Sequence, residues 1–320
     1  MELWQLRQRQ SLPLEAKINH SLRKIREWYE HWDGQVYVSF SGGKDSTVLL
    51  HLVRSMYPRV PAVFCDTGLE YPEVRQFAKN TADVRFLRPQ MNFTEVIKQY
   101  GYPLISKDVS SCIYYAKKGS KWAINKLQGL DPKGDYSEFK QRYKKWSYLT
   151  DIDIPVSHMC CIVMKENPAR EYERISNNKP FIGLLAEESN RRKDAYLATG
   201  CNAYESKHAS SKPLAIWTEQ DILHYIKYKN ISIPSVYGDV IYAELMPDGT
   251  YQQSMFGGDL ITTGCKRTGC MFCMFGIHLE KGKNRFQRMK RTHPQLYDYC
   301  INKLGCGKAL DYIGVNYKTA

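Results

Sequence analysis

The chain has 320 residues, 43% of them hydrophobic, and carries a formal net charge of +13. That length supplies one large domain, or one with a small annex, and enough apolar side chains for a sizeable core. No run reaches the roughly 18 apolar residues of a membrane span, and MELWQLRQRQ has no apolar signal region, so a cytoplasmic protein without a membrane partner is expected. The basic balance favours anionic partners, nucleic acid or small anions, over neutral ones.

In chain order, residues 14–32 place Ile18, Leu22, Ile25, Trp28 and Tyr29 on one face of a helix. QVYVSF is a strand, SGGKDS a turn, and STVLLHLVRSMY a helix. VPAVFCDTG supplies a second strand. YPEVRQFAKN reads as a helix with Pro72 in its first turn. VRFLRP is a third strand and NFTEVIKQYG a helix capped by Asn92. Residues 107–150 read as a helical, basic and aromatic insert. PFIGLLAEES returns to strand character, and WTEQDILHYIKYKN is a helix capped by Thr218. Strands alternating with helices predict an α/β fold with a doubly wound, mostly parallel sheet. The expected organisation is an N-terminal helical segment over 1–33, a nucleotide-binding domain over 34–235, and a small Cys-rich, basic C-terminal subdomain over 236–320.

The glycine turn lies at the carboxyl end of the first strand, where parallel α/β sheets bind ligands. Its backbone N–H groups can crowd an anion, and the following helix adds its dipole. Lys44 adds a point charge and Ser39, Ser41 and Ser46 add hydroxyls. The Walker A spacing is absent. Asp66, Thr67 and Gly68 close the second strand. A carboxylate there can hold a ribose hydroxyl or magnesium, or the three residues can form a turn that starts the next helix.

SGGKDS resembles the PP-loop of the ATP pyrophosphatases, within the adenine nucleotide alpha hydrolase-like group. That resemblance implies ATP and Mg2+, phosphate binding by Ser39, Ser41, Gly42, Gly43, Lys44 and Ser46, and catalytic roles for Lys44, Asp45 and Ser46. Three further stretches are similar to the phosphoadenosine phosphosulfate reductase family: GLLAEESNRR, which nominates Glu188, Ser189 and Arg192; KPLAIWTEQDILHYIKYKNISIPSVY; and HMCCIVMKENPAR. The resemblance covers about residues 35–275.

The chain has ten cysteines. Cys160 and Cys161 followed by Cys270 and Cys273 resemble the 4Fe–4S arrangement of adenylyl-sulfate reductases. Cys265 competes for a ligand place, and a structural Zn2+ site is the alternative. Adjacent cysteines are expected to ligate only with a strained local backbone. Lys266 and Arg267 would lie near the metal and attract an anionic substrate.

Two chemistries share such a scaffold. Sulfonucleotide reductases carry a C-terminal Glu-Cys-Gly-(Leu/Ile)-His motif; here Cys306 precedes Gly307 without the flanking Glu or His. The intact loop suits ATP cleavage instead, as in the cluster-bearing sulfur-transfer enzymes of nucleic acids, with a sulfur donor such as a cysteine desulfurase. Thioredoxin would be the partner of a reductase. A non-catalytic nucleotide- and DNA-binding subunit is a third reading. Nucleic-acid contacts are expected from Lys117, Lys118, Lys121, Lys144 and Lys145, which interleave with Trp122, Tyr143, Trp146 and Tyr148, and from Lys266, Arg267, Arg285 and Arg288. Each run also reads as a solvated helix face.

Overall fold

Short runs of β-branched and aromatic residues bounded by turns become strands in the computed structural model, which describes residues 1–246, 251–254 and 257–318. The strands are β1 (Val36–Ser39), β2 (Ala62–Cys65), β3 (Val84–Leu87), β4 (Leu104–Ile105), β5 (Lys179–Ile182), β6 (Asn202–Ala203), β7 (Ser210–Ser211), β8 (Val240–Leu245), β9 (Tyr251–Gln253), β10 (Asp259–Thr262) and β11 (Met274–Phe275). The chain folds as two compact units, each built from separate stretches of sequence.

The first unit comprises Met1–Asp66, Glu70–Leu87 and Ala169–Thr268. Its six-stranded sheet has the order β3-β2-β1-β5-β7-β6, parallel except for β6 at the edge. This is the doubly wound α/β architecture that the alternation of strands and helices predicts. Val36, Tyr37 and Val38 of β1 are all buried, as a central parallel strand covered on both faces requires. The chain leaves β1 toward β2 on one side and later adds β5 on the other, with Ser39 paired to Ile182. The order therefore switches between β1 and β5, the point at which sheets of this kind bind ligands beyond the strands' carboxyl ends.

Helix Lys44–Met56 follows β1, and eight of its residues are buried. Helix Leu14–His31 is held to the same unit by polar contacts as well as by Ile25 and Trp28. The Ser21 hydroxyl donates to the Pro213 carbonyl (2.8 Å) and accepts from the Trp217 indole N–H (2.8 Å). Lys17, 3% exposed at its side chain, pairs with Asp221 at 2.6 Å. Asp221 also accepts from the Thr218 backbone N–H and hydroxyl at the start of helix Glu219–Lys229. A three-stranded antiparallel sheet, β10-β8-β9, occupies the stretch where hydrophobic periodicity fades.

The second unit comprises Thr67–Leu69, Arg88–Pro168 and Gly269–Ala320. The helical insert and the cysteine-rich C-terminal stretch thus fold together: β11 pairs in parallel with β4, and the Tyr148 hydroxyl donates to the Tyr312 carbonyl. Ile105 holds φ 63°, an uncommon and costly conformation for a β-branched residue, and its carbonyl accepts from the Gly276 N–H.

Removing the Asp221 carboxylate leaves a buried ammonium unpaired and takes away the acceptor of the Thr218 N–H, half of the capping box. Asp221→Ala is expected to destabilise the protein by about 3 kcal/mol, read as a lower midpoint in urea unfolding. A midpoint equal to wild type would show that water reaches Lys17 freely.

Candidate active site

In the first unit the glycine turn is built from its own hydroxyls. Gly42 takes φ +70°, and a Cβ there would lie 2.8 Å from Val74 Cγ1. Only glycine satisfies both demands without strain. Ser46 lies one turn into the helix and folds back: its Oγ accepts from the Ser41 N–H (3.2 Å), meets Ser41 Oγ at 3.0 Å and donates to the Gly43 carbonyl (2.9 Å). Gly43 is the N-cap of helix Lys44–Met56 and lacks a side chain to cap with. The first helical N–H groups therefore need acceptors from beyond the helix, and the Lys44 N–H finds one in the Tyr237 hydroxyl.

Lys44 is buried, with its side chain 3% exposed. Its ammonium donates to the Lys266 carbonyl at 3.0 Å and lies 3.2 Å from Glu219 Oε1 and 3.9 Å from Asp45 Oδ1. Burial pushes the Asp45 carboxyl above its usual range, against the pull of Lys44. Its Oδ1 is buried without a hydrogen-bond partner among the described residues. Glu188 pairs with Arg192, and its other oxygen lies 3.6 Å from Arg267. Ser189 caps the next helix through its hydroxyl, which accepts from the Arg192 N–H. Burial, then the nearby Arg267, lowers Arg192 from the usual guanidinium value. Three carboxylates, Asp45, Glu188 and Glu219, and three cationic side chains, Lys44, Arg192 and Arg267, thus gather about the loop, a balance that a polyphosphate would shift toward charge pairing.

Several sequence-nominated residues take unexpected places. Asp66 is clamped by Arg75, whose Nε and second nitrogen donate to its two oxygens at 2.7–3.1 Å. Thr67 and Gly68 fall in the second unit, with Thr67 Oγ1 accepting from the Leu69 N–H. Lys266 and Arg267, expected beside the cysteines, belong to the first unit and touch Lys44 and Glu188. Tyr237 and Thr268, which sequence reasoning did not single out, lie over the turn: a Cβ on Gly43 would sit 3.1 Å from the Tyr237 hydroxyl and 3.2 Å from Thr268 Oγ1. Glu219 and Arg75 were equally silent, because their partners lie far off in sequence or one helix away.

In the second unit, Cys160, Cys161, Cys270 and Cys273 lie within electrostatic reach of one another. Burial, then the neighbouring Cys161, Cys270 and Cys273, raises the Cys160 thiol, and burial with Cys270 pushes Cys273 up to about 11. Cys161 adopts ordinary helical angles (φ −64°, ψ −35°), so the expected strain at the adjacent pair is absent. Consecutive helical side chains point about 100° apart instead, and a π-helical turn, Ile162–Glu166, follows directly. The Cys273 N–H donates to the Cys270 carbonyl (3.1 Å), and Arg285 donates to the Cys273 carbonyl (3.1 Å). Four soft thiols fit an iron–sulfur cluster or zinc in number and chemistry. Among the described residues, no three His, Cys, Asp or Glu side chains stand at the spacing of a bound metal ion. Cys265 belongs to the first unit, where its N–H donates to the Val236 carbonyl.

The basic runs are mixed. Trp122 and Tyr148 are exposed, whereas Tyr143 is buried and donates to Asp108. Lys145 lies 5.0 Å from the Trp146 ring, and Lys118 donates to the Tyr114 hydroxyl. Lys117 reaches the Ile152 carbonyl. Lys121 opens helix Lys121–Leu127 and Lys144 closes helix Gln141–Lys144. Arg285 and Arg288 both pair with Glu280. No helix among the described residues is long and apolar enough to cross a membrane.

A glycine turn at the carboxyl end of a central parallel strand, with a buried lysine opening the next helix, defines an α/β protein of the nucleotide-binding class. The phosphoadenosine phosphosulfate reductase domain matches residues 35–130 and 114–275, and the chain belongs to that family. It is 26% identical to an uncharacterized protein of Methanocaldococcus jannaschii over 91% of this chain and 53% of the relative. It is 26% identical to adenosine 5'-phosphosulfate reductase of Bacillus cereus over 66% of this chain and 70% of the relative. It is 25% identical to sulfate adenylyltransferase subunit 2 of Mycolicibacterium gilvum over 70% and 63%. The chain thus spans between about half and 70% of the length of these curated relatives.

Gly42→Ala is expected to lower stability by about 1–2 kcal/mol through its left-handed conformation alone, with the Val74 contact adding to it. Denaturant unfolding reads the loss; a neutral substitution would show that the turn relaxes to negative φ.

Proposed function

We propose that this protein binds ATP at the glycine turn and cleaves it to AMP and pyrophosphate, adenylating an acceptor oxygen that sulfur then replaces. The acceptor class is nucleic acid. The observation that carries this reading is the intact Ser-Gly-Gly-Lys-Asp-Ser turn, with Lys44 buried at the start of its helix. A related protein named as a sulfate adenylyltransferase subunit supports nucleotide chemistry on this scaffold.

In the proposed step the acceptor oxygen attacks the α-phosphorus and the bond to the bridging oxygen breaks. Pyrophosphate leaves with the electron pair. Lys44 and the N–H groups at the helix start neutralise the charge that develops on it. Ser41 and Ser46 hold the turn in shape through their mutual contact. Arg192 and Arg267 stand where further phosphate oxygens can pair. Magnesium, when bound, would supply charge neutralisation on the phosphates, and Asp45, whose Oδ1 is buried without a hydrogen bond, is the residue that would hold it.

Cys160, Cys161, Cys270 and Cys273 are the ligand set proposed for a 4Fe–4S cluster, and zinc is the alternative. Such a cluster would hold sulfur or pass electrons. Burial, then the neighbouring Cys270, raises the Cys161 thiol, with Lys107 and Lys165 pulling against that rise. Exposed Trp122 and Tyr148, with Lys117, Lys118, Lys121, Lys144 and Lys145, supply stacking faces and cations for a single strand. A cysteine desulfurase is the sulfur donor that such chemistry implies.

The adenylyl-sulfate reductase reading is favoured by the name of the Bacillus cereus relative. It requires a nucleophilic thiol presented to substrate. Cys300 and Cys306, the cysteines of the C-terminal stretch, are both fully buried.

Lys44→Ala should reduce AMP formation from ATP by about 100-fold or more; unchanged turnover would remove the loop from the mechanism. Anaerobically purified protein should contain iron that Cys270→Ser and Cys273→Ser lose, and a colourless protein with stoichiometric zinc would overturn the cluster. Sulfite release from a sulfonucleotide would establish the reductase instead.

A further inference from the structure

The loop that follows β10 returns across the glycine turn. Its base is stitched down: the Gly264 N–H donates to the Tyr237 carbonyl (2.8 Å), the Cys265 N–H to the Val236 carbonyl (2.9 Å), and the Thr262 hydroxyl to the Cys265 carbonyl (3.0 Å). Beyond that base, residues 266–268 engage the turn itself. The Lys266 carbonyl accepts from the Lys44 ammonium at 3.0 Å. Thr268 Oγ1 meets the Tyr237 hydroxyl at 2.7 Å, and that hydroxyl accepts from the Lys44 backbone N–H at 3.2 Å. Arg267 lies 3.6 Å from Glu188. The Tyr237 ring is buried and stands 5.7 Å from the Lys44 ammonium.

Both donors that Lys44 would give to a phosphate, its helix-opening N–H and its ammonium, are therefore taken by this chain. A carbonyl takes one and a tyrosine hydroxyl the other. We propose that residues 266–268 form a strap, latched by the Thr268–Tyr237 hydroxyl pair, that competes with the anionic ligand for the two donors of Lys44. The Glu219 carboxylate, 3.2 Å from the ammonium, already supplies one charged partner, but the strap offers only the two neutral acceptors, which a phosphate with full negative charge outmatches, so binding unlatches the strap. The strap in turn lowers apparent affinity by the fraction of molecules in which it is seated. Premature occupation by weakly held anions is thereby disfavoured. The inference rests on the glycine turn being a phosphate site, as proposed above.

The test uses the full chain with inorganic pyrophosphate and ATP as probes, and two variants, Tyr237→Phe and Thr268→Val. Calorimetry reads affinity, and trypsin cleavage after Lys266 and Arg267, mapped by mass spectrometry, reads strap opening. Loss of one latch hydrogen bond should tighten pyrophosphate binding about fivefold. Cleavage should run several-fold faster in both variants without a probe, and in wild type on adding pyrophosphate. Weaker binding by Tyr237→Phe would overturn the strap, since the hydroxyl would then help hold the anion. So would slower cleavage of wild type in the presence of pyrophosphate, or cleavage unchanged in the variants. If wild type bound neither probe, the phosphate-site reading would fall and the competition with it. A latch without a phosphate site would still show itself as faster cleavage in the variants.

Discussion

The first unit is organised around one buried charge. An ammonium taken out of water must find partners or be disfavoured by several kcal/mol. Lys44 finds them in residues brought from three places in the chain: Asp45 beside it, Glu219 at the start of a later helix, and the carbonyl of Lys266. Each partner fixes an element. Glu219 ties the opening of helix Glu219–Lys229 to the glycine turn, and Lys266 brings in the segment after β10. The strand order, with its switch between β1 and β5, places the lysine where these elements can converge.

That convergence also sorts the cationic residues by task. A basic balance of +13 says that anions are favoured, but not where. Lys44, Arg192 and Arg267 cluster about Asp45 and Glu188, close enough for each to bear on the Asp45 carboxyl. Arg285 and Arg288 are drawn to Glu280, and Arg285 braces the Cys273 carbonyl as well. Arg285 thus helps hold the CxxC turn, whereas the former group gathers about the glycine turn. Local sequence composition treats the two groups alike.

What was legible in the sequence follows from range. The strands of the parallel sheet, the capped helices beginning at Phe93 and Glu219 and the glycine turn are set by residues within a few positions of one another, so periodicity and capping reveal them. The antiparallel β10-β8-β9 sheet was not legible, because its strands are mostly half-buried or exposed and lie among glycines and charged residues. Nor was the grip of Arg75 on Asp66, or of Tyr237 on the turn. A carboxylate at a strand end looks the same in sequence whether it awaits a ribose or is already held by a guanidinium. The division into units is hidden for the same reason: stretches far apart in the chain, such as Leu104–Ile105 and Met274–Phe275, pair directly.

The cysteines show how far a motif constrains structure. Spacing alone suggested that a Cys-Cys pair must be strained to ligate; here Cys161 takes helical angles and a π-helical turn follows it directly. A helix presents adjacent thiols about 100° apart, which suits two ligands that approach a compact centre from one side less well than CxxC does. A widened turn immediately downstream changes the phase of the helix, so that Lys165 and Glu166 take positions a regular helix would not give them, with Glu166 paired to Lys107. The π-helical turn thus carries both Lys165 and Glu166, which pull the Cys161 thiol in opposite directions.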